Sequence, residues 1–395
     1  MAGPEKPGTE GDGSAPDRLP GRPRMRGDLE LMPGYHSPQL DVEVRLNTNE
    51  APEPPPARFT SALAERLAAV DWNRYPDRSA VALRTAIARA EGSGVPAEGA
   101  VASAAGQDEA GGFDVSQVFA ANGSNEVLQS ICLAYGGPGR SALTFEPTYA
   151  LHSHIAKVCG TEVHHGQRSD DFELDVAEVV SQVDAHRPAI TFLCSPNNPT
   201  GGALDDQLIA TALAAVSSVG GLLVVDEAYG QFSPTSALSL VHEDAPLVVT
   251  RTFSKTWSAA ALRLGYAIGP SWLVEDLFKV ALPYHLDAPK QVAGLLALEF
   301  EPEMHARVAA LVEQRGRIVA GLDDLPVTQW RSDANFVLFR PDRARGEDVW
   351  QDLVDRRVLV RNCASWPGLE GCLRVSVGTA AENDRFLSAL AQILT

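Results

Sequence analysis

Between Asp184 and Gly269 the chain alternates short apolar runs with helical patterns, and this alternation limits the available folds more than any other feature. The apolar runs fall at 189–193, 221–225 and 247–251, with a helical pattern near 205–217 between the first two. Runs of this length, apolar at nearly every position, read as buried strands. Strand, helix and strand in succession build a mainly parallel sheet with helices on both faces. Polar residues follow the C-terminal end of each run, where open α/β sheets receive their ligands. The expected fold class is therefore α/β.

Three of those polar clusters carry chemistry. The first is Cys194-Ser195-Pro196-Asn197-Asn198-Pro199-Thr200-Gly201-Gly202. The second is Asp226 at the end of Leu222-Leu223-Val224-Val225, with Tyr229 three residues on. The third surrounds Lys255, which has Ser254 before it and Arg263 eight positions after it. A lysine following a buried strand is poorly solvated, and desolvation favours its neutral amine. A neutral amine is what a Schiff base with an aldehyde requires. Ser254 and Arg263 could hold an anion, since the arginine fork matches phosphate oxygens. Each cluster taken singly also fits an ordinary loop.

Taken in order, Asn-Pro-Thr-Gly, the aspartate with its tyrosine, and the lysine resemble the fold-type I pyridoxal-phosphate aminotransferases. From about residue 34 to 395 the chain is most similar to the histidinol-phosphate aminotransferase branch of that family, and the run Cys363 to Arg374 looks like that branch. The resemblance implies a mainly parallel central sheet, a smaller C-terminal α/β domain and an N-terminal arm. It implies pyridoxal 5'-phosphate as cofactor, carried by Lys255 as the catalytic residue. Asp226 would face the ring nitrogen, Asn198 and Tyr229 the phenolic oxygen, and Tyr149 would stack on the ring. Ser124, Asn125, Thr252, Ser254 and Arg263 would anchor the phosphate. Tyr75, in Arg-Tyr-Pro, would reach across a homodimer interface to the neighbouring subunit's cofactor phosphate. Arg374 and Arg361 would clamp the substrate's carboxylate or phosphate, with Asn49 and Tyr284 also bordering the substrate.

The implied reactants are histidinol phosphate and 2-oxoglutarate, giving imidazole acetol phosphate and glutamate. The arm departs from the family pattern. Ala51 and Glu53 stand where the family usually has a second asparagine and an aromatic residue, and Glu53 would repel a phosphate. An aromatic amino acid aminotransferase, a Cα-decarboxylase of a phosphorylated amino acid and a non-catalytic ligand sensor are the competing readings. The sensor would need an added DNA-binding module, and the N-terminal tail is too short for one.

A formal net charge of −18 argues against a nucleic-acid surface, so an anionic substrate must be drawn in by local arginines. No apolar run is long enough to span a membrane, and the N-terminus lacks a signal peptide's apolar core. Five cysteines with no metal-like pairing fit reduced thiols in a cytoplasmic protein. His152, His154, His164 and His165 form no helical pair with a carboxylate, so no metal is expected. The organisation read from composition is a disordered tail at 1–28, the arm at 29–57, a large domain at 58–283 with a mobile insertion at 92–113, and a small domain at 284–395. A long helical region is expected from Lys290 to about Gly321.

Overall fold

The computed structural model describes residues 23–30, 32, 34, 40–92 and 112–395. The tail expected at 1–28 lies outside the described residues over 1–22, and the insertion expected at 92–113 lies outside them over 93–111.

The chain opens with β1 (Val44–Leu46), α1 (Ala57–Ala68) and α2 (Val81–Gly92). Next come β2 (Val118–Ala121), α3 (Ser124–Tyr135), β3 (Ser141–Glu146), α4 (Leu151–Val158), β4 (Glu162–Gln167) and α5 (Val176–His186). Then follow β5 (Ile190–Cys194), α6 (Asp206–Ser218), β6 (Leu222–Asp226), β7 (Leu247–Thr252) and β8 (Gly265–Ile268). Strands β2 to β8 form one sheet in the order β2-β8-β7-β6-β5-β3-β4. Its hydrogen-bonded pairs are parallel except the two made by β8.

The apolar runs explain why this sheet is covered on both faces. Side chains alternate across a strand, so Leu223 and Val225 of β6 join one core while Leu222 and Val224 join another. Leu247 and Val249 of β7 divide from Val248 in the same way. The first core takes Leu83 and Ile87 from α2, Val179 and Val183 from α5, and Leu208 and Ile209 from α6. The second takes Val127, Leu128 and Ile131 from α3.

The chain continues through α7 (Ser271–Val280), α8 (Ala288–Leu298), α9 (Glu301–Asp323), β9 (Val327–Gln329), β10 (Phe336–Pro341), α10 (Gly346–Asp355), β11 (Val358–Asn362), β12 (Leu373–Ser376) and α11 (Ala380–Leu394). A second sheet runs β1-β11-β12-β10-β9. Here β1 pairs in parallel with β11 and the remaining pairs are antiparallel. Leu311, Ile318 and Leu322 of α9, with Phe386 and Leu390 of α11, fill the core beneath it.

Three features differ from the sequence reading. The helical region from Lys290 to about Gly321 is two helices, α8 and α9. Leu286, Leu296, Ala297 and Met304 pack into the large core, whereas Leu311 starts the small one. The chain therefore passes between the cores within α9, later than the boundary expected at 284. The arm residues Val44–Leu46 also form a strand of the smaller sheet, anchored by buried Val44 and Leu46. Among the described residues no helix is long and apolar enough to cross a membrane.

Candidate active site

Strands β5 and β6 end in step, with Cys194 beside Asp226, and β7 passes Asp226 at Thr250 and ends two residues later at Thr252. The loops carrying Asn198, Tyr229 and Lys255 therefore leave one edge of the sheet together. Asp226 is 1% exposed. Its Oδ2 lies 2.8 Å from His152 Nε2, and its Oδ1 accepts from Ala228 N at 3.1 Å and Thr250 Oγ1 at 3.3 Å. The His152 ring is buried and stacks on Phe192, with centroids 5.0 Å apart. A carboxylate shut away from water survives only with such partners. It suits a site that must hold a cation.

The turn before α3 forms a cradle. Gly123 is at φ 84, and no side chain caps the helix start. A Cβ on Gly123 would come within 2.8 Å of Arg263 Nη2, so the guanidinium lies directly over the turn. A Cβ on Gly265 would reach within 2.2 Å of Ser124 N, so only glycine lets β8 run this close. Arg263 Nη1 donates to Ser254 Oγ at 3.3 Å. Thr252 Oγ1 accepts from Ser254 N at 3.1 Å and donates to Ser254 Oγ at 3.1 Å. An uncapped helix start, two hydroxyls and an arginine could together hold a phosphate. Asn125 stands in the first turn of α3, and its Oδ1 accepts from Tyr149 Oη at 3.2 Å.

Lys255 is half-buried, and its Nζ donates to the Thr48 carbonyl at 3.0 Å. Its Nζ lies 5.8 Å from the Tyr229 ring centroid. Burial, then Arg374, then Arg263 lower its pKa to about 8, while Glu50 acts in the opposite direction. Burial pushes the Tyr229 hydroxyl up to about 12, and Tyr229 Oη accepts from Asn49 Nδ2 at 2.9 Å.

The smaller sheet supplies the other wall. Leu373 and Val375 of β12 face its core, so Arg374 and Ser376 face the site. Arg374 is 5% exposed; its Nη1 donates to Asn198 Oδ1 at 2.5 Å and its Nη2 to the Asn47 carbonyl at 3.0 Å. Its Nε has no hydrogen-bond partner among the described residues. A buried guanidinium with a spare donor is costly unless an anion completes it. Arg361 stands directly opposite Arg374 in the β11–β12 pairing, which puts both side chains on one face. Asn49, at φ 55, is fixed by Ser376 Oγ, which accepts from its backbone N at 2.8 Å and donates to its Oδ1 at 2.8 Å.

The structure thus gathers Lys255, Asp226, Tyr229, Asn198, Arg374, Asn49 and Arg361 at one sheet edge and the facing wall, with Ser124, Asn125, Tyr149, Thr252, Ser254 and Arg263 around the turn. It does not bring Tyr75 or Tyr284 into that group. Tyr75 is 79% exposed and stacks on Tyr284, with centroids 4.4 Å apart. Glu53 is exposed, and its charge acts on Arg307, whose Nη1 donates to the Thr256 carbonyl at 3.0 Å. Sequence reasoning missed His152, which it weighed only as a metal ligand. It also missed the Asn47 and Thr48 carbonyls, which no side-chain pattern announces.

The family model for aminotransferase class I and II matches residues 42–390. A histidinol-phosphate aminotransferase of Frankia casuarinae is 46% identical over 385 residues, covering 96% of this chain and 91% of that protein. One of Rhodococcus opacus is 42% identical over 385 residues, covering 95% and 93%. The crystal structure of histidinol-phosphate aminotransferase from Sinorhizobium meliloti in complex with pyridoxal-5'-phosphate aligns with TM-score 0.76 at 21% identity, covering 89% of this chain and 91% of that one.

Proposed function

Because the chain belongs to the class I and II aminotransferase family, we propose that it exchanges an amino group between L-histidinol phosphate and 2-oxoglutarate, a step of histidine biosynthesis. Its cofactor is pyridoxal phosphate. The residues present fit that group: a cradle that only glycine permits at 123 and 265, a buried carboxylate at Asp226, and an amine at Lys255 with its pKa lowered to about 8. Ser124, Asn125, Thr252, Ser254 and Arg263 would hold the phosphate, and Tyr149 would lie against the ring.

When bound, pyridoxal phosphate supplies a sink for the electrons left when the substrate's Cα loses its proton. Asp226, held by His152, would pair with the ring nitrogen and favour its positive charge. Asn198 and Tyr229 would donate hydrogen bonds that favour an anionic phenolic oxygen. Lys255 Nζ, whose ammonium form burial disfavours, would accept the substrate's Cα proton and pass it to the cofactor side, the shift that transfers the amino group. Arg374 and Arg361 orient the substrate's distal anion, and the arginine fork serves a phosphate ester or a carboxylate equally.

The observation that carries the substrate assignment is the arginine pair on the wall facing Lys255: Arg361 stands opposite Arg374, and the Arg374 Nε has no hydrogen-bond partner among the described residues. A homodimer is proposed, with Tyr75 serving the neighbouring subunit's phosphate, and its exposure on this chain supports that reading. The proposed compartment is the cytoplasm. The test is a half-reaction screen. Purified holoenzyme is mixed in turn with histidinol phosphate, phenylalanine and threonine phosphate, and the cofactor spectrum is followed. Conversion by histidinol phosphate is expected. Conversion by phenylalanine without histidinol phosphate would replace this assignment with the aromatic one.

A further inference from the structure

Trp366 lies in the loop joining β11 to β12, the hairpin that carries Arg361 and Arg374. It touches both halves of the site. The Arg361 Cζ sits 5.1 Å from the centre of its indole ring. Its Nε1 donates to the Thr148 carbonyl at 3.1 Å. Thr148 belongs to the turn after β3 and is itself fixed. Its Oγ1 donates to Asn197 Oδ1 at 2.8 Å, and its backbone N donates to Glu146 Oε2 at 3.1 Å. The next residue is Tyr149, and Asn197 precedes Asn198, the partner of Arg374.

We propose that Trp366, with its face against Arg361 and its N–H on Thr148, is a positioning residue that sets the span between the arginine pair and the Tyr149 turn, and thereby selects substrates by the reach of their distal anion. The inference rests on reading Arg361 and Arg374 as the clamp for that anion. Two like charges directly opposite on a strand pair repel. An indole face attracts a guanidinium, which holds Arg361 beside Arg374 despite the repulsion. The hydrogen bond to Thr148 then fixes the ring, and with it Arg361, relative to the other wall. A substrate with an anion at the right distance gains both arginines. A substrate without one gains nothing from this arrangement.

Two variants of the holoenzyme separate the parts. Trp366→Phe keeps an aromatic face and loses the N–H; Trp366→Leu loses both. Each is mixed with glutamate and, separately, with norvaline, which has glutamate's carbon chain without the distal carboxylate. The change in cofactor absorbance gives a dissociation constant and a limiting rate for each donor. For glutamate the dissociation constant should rise about fivefold in Trp366→Phe and more than tenfold in Trp366→Leu, with the limiting rate within about twofold. For norvaline neither quantity should move. Equal losses on both donors, an unchanged glutamate constant, or a wild type that does not prefer glutamate to norvaline would overturn the proposal. Should Trp366→Leu fail to fold, Trp366→Phe carries the test. Histidinol phosphate is run in parallel: a wild type that takes glutamate and ignores histidinol phosphate defeats the substrate assignment and leaves the Trp366 result standing.

Discussion

His152 Nε2 lies 2.8 Å from Asp226 Oδ2, and neither side chain is more than 2% exposed. The imidazole is wedged against Phe192, so it cannot turn away. His152 therefore fixes which way the carboxylate points. His152→Phe keeps the ring stack and strips Asp226 of one hydrogen-bond donor. Leaving a buried acceptor unmatched costs about 1–3 kcal/mol of stability. Turnover should fall by about tenfold, because Asp226 loses its orientation. Denaturant unfolding and steady-state kinetics check the two effects. An unchanged kcat would mean that Ala228 N and Thr250 Oγ1 suffice to orient the carboxylate.

Lys255 predicts a pH dependence of stability in the cofactor-free protein. Its pKa falls from 10.5 to about 8 on folding, chiefly through burial. Between those values the unfolded chain binds more protons than the folded one, so stability rises with pH across that window. The gain attributable to this side chain is about 2 kcal/mol once its partial exposure is allowed for. Lys255→Met should be the more stable protein at pH 7 and should lack the rise between pH 8 and 10.5. Urea unfolding at several pH values measures it. A parallel rise in wild type and variant would place the titration elsewhere.

Much of this site could be read from the chain, and the missing parts share a cause. Lys255, Asp226, Asn198 and Arg374 each lie on, or just past, an apolar strand, so an alternating pattern points to them. His152 sits 74 residues before Asp226 and meets it only because α4 packs beside the sheet end. The Asn47 and Thr48 carbonyls are backbone groups, identical in every sequence, and their role follows from β1 entering the smaller sheet. At three residues, β1 is too short to show a period. The same limit hid the break between α8 and α9, since apolar residues continue through both.

Tyr75 and Tyr284 give a prediction about assembly. Both rings are open to solvent and stacked on each other, with Trp72 and Leu282 also exposed nearby in sequence. The proposed homodimer should appear in sedimentation. Mixing Lys255→Ala with Tyr75→Ala subunits should rebuild one intact site in each mixed dimer and recover about a quarter of wild-type activity, as random pairing of a C2 dimer requires. A fully active monomer would contradict it.

Glu53 lies toward Arg307, not among the residues that surround Lys255. As an exposed charge it is screened by solvent and salt before it can repel a substrate phosphate. Glu53→Tyr should leave the KM for histidinol phosphate within about twofold, because an exposed, screened charge contributes little at a distance. A tenfold drop in that KM would show that the arm's side chain faces the substrate.

Lys255 is the amine that burial, Arg374 and Arg263 bring down to a pKa of about 8, and its Nζ donates to the Thr48 carbonyl. Borohydride reduction of the holoenzyme fixes the cofactor to whichever amine it is bonded to, and peptide mapping then locates it. The label should fall on the peptide containing Lys255 and on no other, and should be absent from Lys255→Ala. Label on a different lysine, or label that persists in Lys255→Ala, would contradict the assignment on which the rest depends.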